Sequence, residues 1–285
     1  MVQVKADQIT EPVAFHGEGP VWSTAWGGLR FVDMFAGDVL SLGVGGALGR
    51  RHVGTIAAVL RPRRNGGAVI AVERGFVLED AAGALHPLPD VWIDPTLRMN
   101  EGGCDPEGRF YCGTTAYDHA ADRAALYRLD ADGSVSLIFD GVTISNGLGW
   151  SPDGASVYYA DTPTRRIDRF DYDADTGLSG RRLFAEIPDG AGSPDGLTVD
   201  ADGHVWVALY AGAAVRRYRP DGTLDGVVEL PVSRPTACTF GGDNLTDLFI
   251  TTSRENVADG AEPEAGALFR SQPGVRGLPV TAFAG

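Results

Sequence analysis

A turn built from an acidic residue and a glycine recurs along this chain, as Asp105-Pro106-Glu107-Gly108, Ser151-Pro152-Asp153-Gly154 and Asp200-Ala201-Asp202-Gly203. The copies stand roughly 46 and 49 residues apart, a period long enough for one supersecondary unit per repeat. Each precedes a β-rich segment: Arg109-Phe110-Tyr111-Cys112-Gly113, Ser156-Val157-Tyr158-Tyr159-Ala160 and His204-Val205-Trp206-Val207-Ala208. Glycine takes the positive φ that tight turns demand, so each motif reads as a hairpin. A third strand follows every time, at Ala125-Leu126-Tyr127-Arg128-Leu129, at Arg166-Ile167-Asp168-Arg169-Phe170-Asp171 and at Ala214-Val215-Arg216-Arg217-Tyr218. Looser copies run from Gly19 to Leu42, from Gly66 to Leu78 and from Phe240 to Phe269, giving six units.

Six four-stranded antiparallel units set radially make a six-bladed β-propeller, an all-β fold with short protected sheet edges and a central channel. Two stacked β-sandwiches would not place the same turn at the same point of every repeat. No Pro/Ser-rich linker or charge block interrupts the pattern, so residues 1–285 are expected to form a single domain. The first ten residues lie outside the units, and Val2-Gln3-Val4 alternates as a strand would. This arm is expected to close the ring against the last blade.

Four short motifs place oxygen-bearing side chains before a glycine at the start of a strand-like run: Gly17-Glu18-Gly19-Pro20, Arg98-Met99-Asn100-Glu101-Gly102, Ser145-Asn146-Gly147 and Pro194-Asp195-Gly196. If those runs are the innermost strands of their units, Glu18, Asn100, Asn146 and Asp195 stand just before them and meet at the channel mouth. Glu18, Asn146 and Asp195 then form an all-oxygen set suited to a hard divalent cation. Asp195 within Pro-Asp-Gly, or Asn146 before Gly147, would taken alone be an ordinary turn residue. Register argues otherwise, because the hairpin turn of each unit is already supplied further on, by Asp153-Gly154 and Asp202-Gly203. Glu18 is not a turn former, and its flanking glycines suggest close backbone approach.

Other chemistries lose support residue by residue. The net charge of −14 disfavours nucleic acid and anionic membranes. No apolar stretch approaches twenty residues and no signal-peptide pattern opens the chain, so a cytoplasmic location is expected. Lys5 is the one lysine, which removes Schiff-base chemistry and lysine-dependent phosphate loops. Gly43-Val44-Gly45-Gly46-Ala47-Leu48 lacks the last glycine of a dinucleotide loop, and Ser193 lacks the glycines of a nucleophile elbow. Cys104, Cys112 and Cys238 are odd in number and without paired C-x-x-C spacing, so buried free thiols are expected. His16, His52, His86, His119 and His204 share no spacing and read as surface or satisfied histidines.

Taken together, His16-Gly17-Glu18-Gly19-Pro20-Val21-Trp22, Arg98-Met99-Asn100-Glu101-Gly102 with Asp105-Pro106-Glu107-Gly108-Arg109, Ile144-Ser145-Asn146-Gly147-Leu148, Pro194-Asp195-Gly196 and Phe240-Gly241-Gly242 resemble the SMP-30/gluconolactonase/LRE family. The resemblance implies a six-bladed propeller holding one divalent metal (calcium, zinc, manganese or magnesium) on Glu18, Asn146 and Asp195. It implies that Arg98 and Asn100 contact the substrate, a small sugar lactone, which the enzymes of the family hydrolyse to the aldonic acid. Where animal members carry a glutamate that reaches the sugar, this chain has Asp118, one methylene shorter.

Such a ligand set leaves open positions where a cation polarises a lactone carbonyl and acidifies a water. Asp195, ionised at a near-normal pKa, is expected to be the general base. Two further readings are carried forward: a metal hydrolase of phosphoric esters and fluorides, and a propeller that binds cations or proteins without catalysis.

Overall fold

The computed structural model describes residues 2–285. The chain forms six sheets, each laid down from the inside outward, and the six innermost strands are Gly17–Ser23, Ala57–Pro62, Leu97–Cys104, Ser145–Trp150, Ser193–Val199 and Pro235–Gly241. Each packs against the next, and the last against the first, so the sheets are the blades of a closed six-bladed propeller. Among the described residues the only helical elements are four 3-10 turns of three residues. The repeated acidic-Gly turns do join the first two strands of their blades, with Gly108, Gly154 and Gly203 at φ of 89°, 72° and 83°.

Ring closure differs in detail from the expectation for the amino-terminal arm. Val2–Lys5 adds parallel to the outer strand of blade five, Leu224–Glu229, as a fifth strand. Asp7–Gln8 reaches blade six, where it pairs with Phe269–Ser271 and supplies the outermost strand. The arm thus staples blade five to blade six.

Aromatic pairs fill the wedges between blades. Trp22 stacks on Phe249 across the seam between blades one and six, with ring centroids 5.6 Å apart. Tyr111 meets Trp150 between blades three and four, and Trp206 meets Phe240 between blades five and six. Such rings bury large apolar area at the places where flat sheets splay apart. Cys104, Cys112 and Cys238 are free and buried, as expected. Burial pushes the Cys104 thiol up to about 12, which leaves it unreactive at neutral pH.

At the end of the channel where the acidic-Gly turns lie, the carboxy-terminal segment crosses the ring. Gly277 N–H donates to Leu245 O and Ala201 N–H to Arg276 O, on blades six and five. Further on, Phe283 N–H donates to Pro62 O and Ala284 N–H to Gly108 O, on blades two and three. Phe283 is buried in the apolar core shared by blades one, two and three. A cavity of about 390 Å³ remains within the channel at this end, lined in part by Arg61, Thr198, Thr239 and Leu278.

Candidate metal centre

Every innermost strand carries a β-bulge near its start, and four of the bulges present the candidate residues. The register slips between Glu18 and Val21, Met99 and Gly102, Ser145 and Leu148, and Pro194 and Leu197. A bulge re-aims a side chain that the pleat would otherwise send into the sheet. The site residues therefore lie inside the strands and not, as expected from the sequence, just before them. The glycine that follows lets the neighbouring strand come close. A Cβ on Gly147 would stand 2.6 Å from Asp195 O, and one on Gly196 would stand 2.4 Å from the Ala237 Cβ.

Glu18, Asn100, Asn146 and Asp195 are all buried at this mouth. Asn146 Nδ2 donates to Thr162 Oγ1 at 2.8 Å, and that hydroxyl donates to Pro194 O at 2.9 Å. The amide is thereby turned so that Oδ1 faces Asn100, whose Nδ2 donates to it at 3.1 Å. Glu18 Oε2 accepts the Gly19 N–H at 2.9 Å, and Asp195 accepts the N–H of Gly196.

Arg98 and Asn100 form one connected unit. Arg98 Nη1 donates to Asn100 Oδ1 at 2.7 Å and to Met99 O at 3.1 Å, and the guanidinium lies 5.3 Å from the Phe35 ring centroid. Its Nε and Nη2 have no hydrogen-bond acceptor among the described residues, so one edge of the fork is available at the mouth. Asn100 is more committed than the sequence suggested: its Nδ2 also donates to Ser145 O at 2.8 Å. It acts first as the link between Arg98 and Asn146. Asp118 lies on an exposed turn, where Oδ1 accepts the Ala120 N–H at 3.0 Å.

The sequence reading gave no role at this mouth to Glu101, Glu255 or Tyr117. Glu101, adjacent to Asn100, is buried among the same strands, and its charge raises the proton affinity of both Glu18 and Asp195. His16 is buried, with Nδ1 2.8 Å from Ser253 Oγ and 3.5 Å from Glu255 Oε2, and Nε2 3.9 Å from Glu18 Oε1. Burial first, and then Arg98, hold it down to about 3, so it is a neutral, satisfied histidine, as expected. Glu255 forms part of the wall, and Tyr117 donates its hydroxyl to Glu73 Oε1 at 2.6 Å on the rim. The signal for Glu101 was available, since Glu101-Gly102 repeats the acid-glycine pair of Glu18-Gly19 and Asp195-Gly196.

The electrostatics amend one expectation. Burial above all, and then the charges of Asp195 and Glu101, raise the Glu18 carboxyl well above its ordinary range. Burial and then Glu101 do the same to Asp195, which was expected near its normal value. Without a cation these acids repel one another in a site that water barely reaches. A divalent cation removes that cost and restores the carboxylate form. The donor set, two carboxylates and an oriented amide oxygen, fits a hard cation.

A second grouping, Asp200, Asp202 and His204, brings its ligand atoms within 4.8 Å of one another at the blade-five turn. There the Asp200 Oδ1 already accepts the N–H groups of Asp202 and His204, and Oδ2 accepts Trp206 Nε1. These bonds make it a turn-stabilising network.

Comparison with known proteins agrees with this architecture. Residues 16–254 match the family model described as the SMP-30/Gluconolactonase/LRE-like region. The chain is 36% identical to regucalcin of Danio rerio over 299 residues, covering 100% of both proteins. It is 36% identical to pentonolactonase XacC of Haloferax volcanii over 273 residues, covering 92% of each. Among solved structures, a calcium-binding protein, regucalcin, from Agrobacterium tumefaciens superposes with a TM-score of 0.91 at 26% identity, covering 99% of both chains.

Proposed function

We propose that this chain, which belongs to the SMP-30/Gluconolactonase/LRE-like family, hydrolyses sugar lactones to aldonic acids at the mouth of its channel, with one divalent cation held by Glu18, Asn146 and Asp195. The observation that carries the reading is the burial of Glu18 and Asp195 at the mouth with an asparagine whose amide is oriented by Thr162 and Asn100, next to an arginine with an open edge. The relatives named as lactonases, among them pentonolactonase XacC, support the same substrate class.

When bound, the cation supplies a Lewis acid for the lactone carbonyl and lowers the pKa of a water. Asp195, buried at the mouth, accepts the proton that this water gives up as its oxygen adds to the carbonyl carbon. The acyl carbon–oxygen bond of the ring then breaks, the ring oxygen takes that proton back from Asp195 and leaves as a hydroxyl, and the product is an open-chain hydroxy acid. Arg98 presents Nε and Nη2 to substrate oxygens while Nη1 stays fixed on Asn100, so the fork is oriented before substrate arrives. Phe35 supports the flat face of the guanidinium. The rim acids Glu73 and Glu255 favour a neutral polyol over an anion and oppose retention of the carboxylate product.

The test is a panel of glucono-, galactono-, xylono- and arabinono-lactones assayed with metal-stripped protein refilled by one cation at a time. Turnover restored by an oxygen-preferring cation supports the reading, and full turnover by verified metal-free protein removes it.

A further inference from the structure

Two rim residues occupy equivalent places in adjacent blades. The second strands of blades two and three, Ala68–Val72 and Phe110–Ala116, run back to the mouth, and Glu73 and Tyr117 are the residues that follow them. Both are tied by their backbones to the strand that carries Arg98. Met99 N–H donates to Glu73 O and Tyr117 N–H donates to Thr96 O, each at 2.9 Å. Tyr117 reaches that strand from its paired neighbour in blade three, and Glu73 reaches it from blade two. Their side chains then meet, with the Tyr117 hydroxyl donating to Glu73 Oε1 at 2.6 Å, so the pair bridges the two blades at the Arg98 end of the strand.

The bond gives the two residues separate jobs. Glu73 Oε1 is occupied, while Oε2 accepts no hydrogen bond among the described residues and lies 4.0 Å from Arg74 Nε, on a side chain that is 28% exposed. That oxygen is an open acceptor on the rim. The open edge of Arg98 carries only N–H groups, so it donates and cannot accept. A hydroxyl does both, and a polyol is therefore satisfied by the arginine and the glutamate together. A bare methylene uses neither, and a carboxylate meets a like charge at Glu73. Burial first, and then the bond to Glu73, push the Tyr117 hydroxyl up to about 12, so it remains the donor at neutral pH.

We propose that the Tyr117–Glu73 pair is the specificity element of this mouth: Glu73 Oε2 accepts a hydroxyl proton from the lactone, and Tyr117 is the positioning residue that holds the carboxylate for it. The class selected is a neutral polyhydroxy lactone, over lactones without hydroxyls and over lactones that carry a free carboxylate. The proposal rests on the reading that the mouth hydrolyses sugar lactones, and it supplies the acceptor that the Arg98 fork lacks.

The experiment measures kcat and KM of the metal-loaded protein on xylonolactone, butyrolactone and glucarolactone, which carries a free carboxylate. The variants are Glu73→Gln, Tyr117→Phe and the two combined. In Glu73→Gln the amide oxygen stays with Tyr117 and the amide nitrogen turns to the mouth, replacing an acceptor by a donor. The ratio of kcat/KM for xylonolactone to that for butyrolactone should fall about tenfold or more, mainly through KM. Glucarolactone should gain several-fold relative to xylonolactone. Tyr117→Phe should lower the first ratio by a smaller factor, and the double variant should lose no more than Glu73→Gln alone, because the tyrosine acts through the carboxylate.

A ratio within about twofold of the parent for Glu73→Gln overturns the proposal, and Tyr117→Phe decides by the same measure if Glu73→Gln does not fold. Full additivity of the two substitutions removes Tyr117 as the positioning residue. If the parent, refilled with each cation in turn, hydrolyses none of the lactones or shows no preference for xylonolactone over butyrolactone, the sugar-lactone reading fails and the proposal with it. If the parent has that preference and the variants keep it, only the role of the pair falls.

Discussion

Asn100 Nδ2 reaches Asn146 Oδ1 at 3.1 Å across the gap between blades three and four, and the Oδ1 of the same Asn100 holds Arg98 at 2.7 Å. One amide therefore ties the residue that would touch substrate to one that would touch metal.

That tie separates the effects of two truncations. Asn100→Ala should weaken both cation binding and sugar-lactone kcat/KM, each by about tenfold, since it frees Arg98 and Asn146 together. Arg98→Ala should leave cation affinity undiminished while sugar-lactone kcat/KM falls about tenfold or more. Hydrolysis of butyrolactone, which has no hydroxyls for the fork to hold, should change much less. Arg98→Ala activity within about twofold of the parent on sugar lactones would contradict the assignment.

Asp195 and Asn146 should separate as base and ligand. Asp195→Asn keeps an oxygen for the metal and loses the proton acceptor, so activity should drop about a hundredfold or more while some cation binding survives. Asn146→Ala should lose affinity, and excess cation should restore part of its rate. Equal rescue of both variants would reduce Asp195 to a ligand.

Cation binding should release protons. Burial and mutual repulsion raise the Glu18 and Asp195 carboxyls in the metal-free protein, so these groups retain protons that a bound cation displaces. The sign is fixed by the upward shift: release grows as pH falls from neutrality and fades at alkaline pH, and affinity rises with pH over the same span. Calorimetry in buffers of different ionisation enthalpy measures it. Proton uptake, or a pH-independent affinity between about 5 and 8, would count against the carboxylate ligands.

Gly147→Ala tests the close approach of blades four and five. Its Cβ would stand 2.6 Å from Asp195 O and 2.7 Å from Leu197 Cγ, so one strand must shift. The expected cost is about 1–3 kcal/mol of stability, read from thermal unfolding, with weakened cation binding because Asp195 moves. Parent-like values on both measurements would mean that the blades accommodate the methyl group.

The fold was legible because an acidic-Gly turn can be recognised locally, and its repetition carries the global arrangement. Glu18, Asn146 and Asp195 were legible because each precedes a glycine that no hairpin needed. Glu101 was passed over although Glu101-Gly102 repeats the same acid-glycine pair, because the choice between it and the adjacent Asn100 depends on where a bulge shifts the register, and a bulge leaves no mark in hydrophobic alternation. The role of Asn100 as a link was equally hidden, since its partners Ser145 and Asn146 lie 45 and 46 residues away. The raised proton affinity of Asp195 follows from burial, which only three dimensions disclose.

The carboxy-terminal segment gives the site its mechanical setting. Blades that meet edge to edge can buckle about a line through blades one and four, much as a paper wheel creases along a diameter. The crossing from blades five and six to blades two and three is a tie-bar laid across that crease. Asp195 on blade five and Glu101 on blade three sit on opposite sides of it. The mouth between them is therefore held from the far end of the hub, and its shape can persist in a ring assembled from separate sheets.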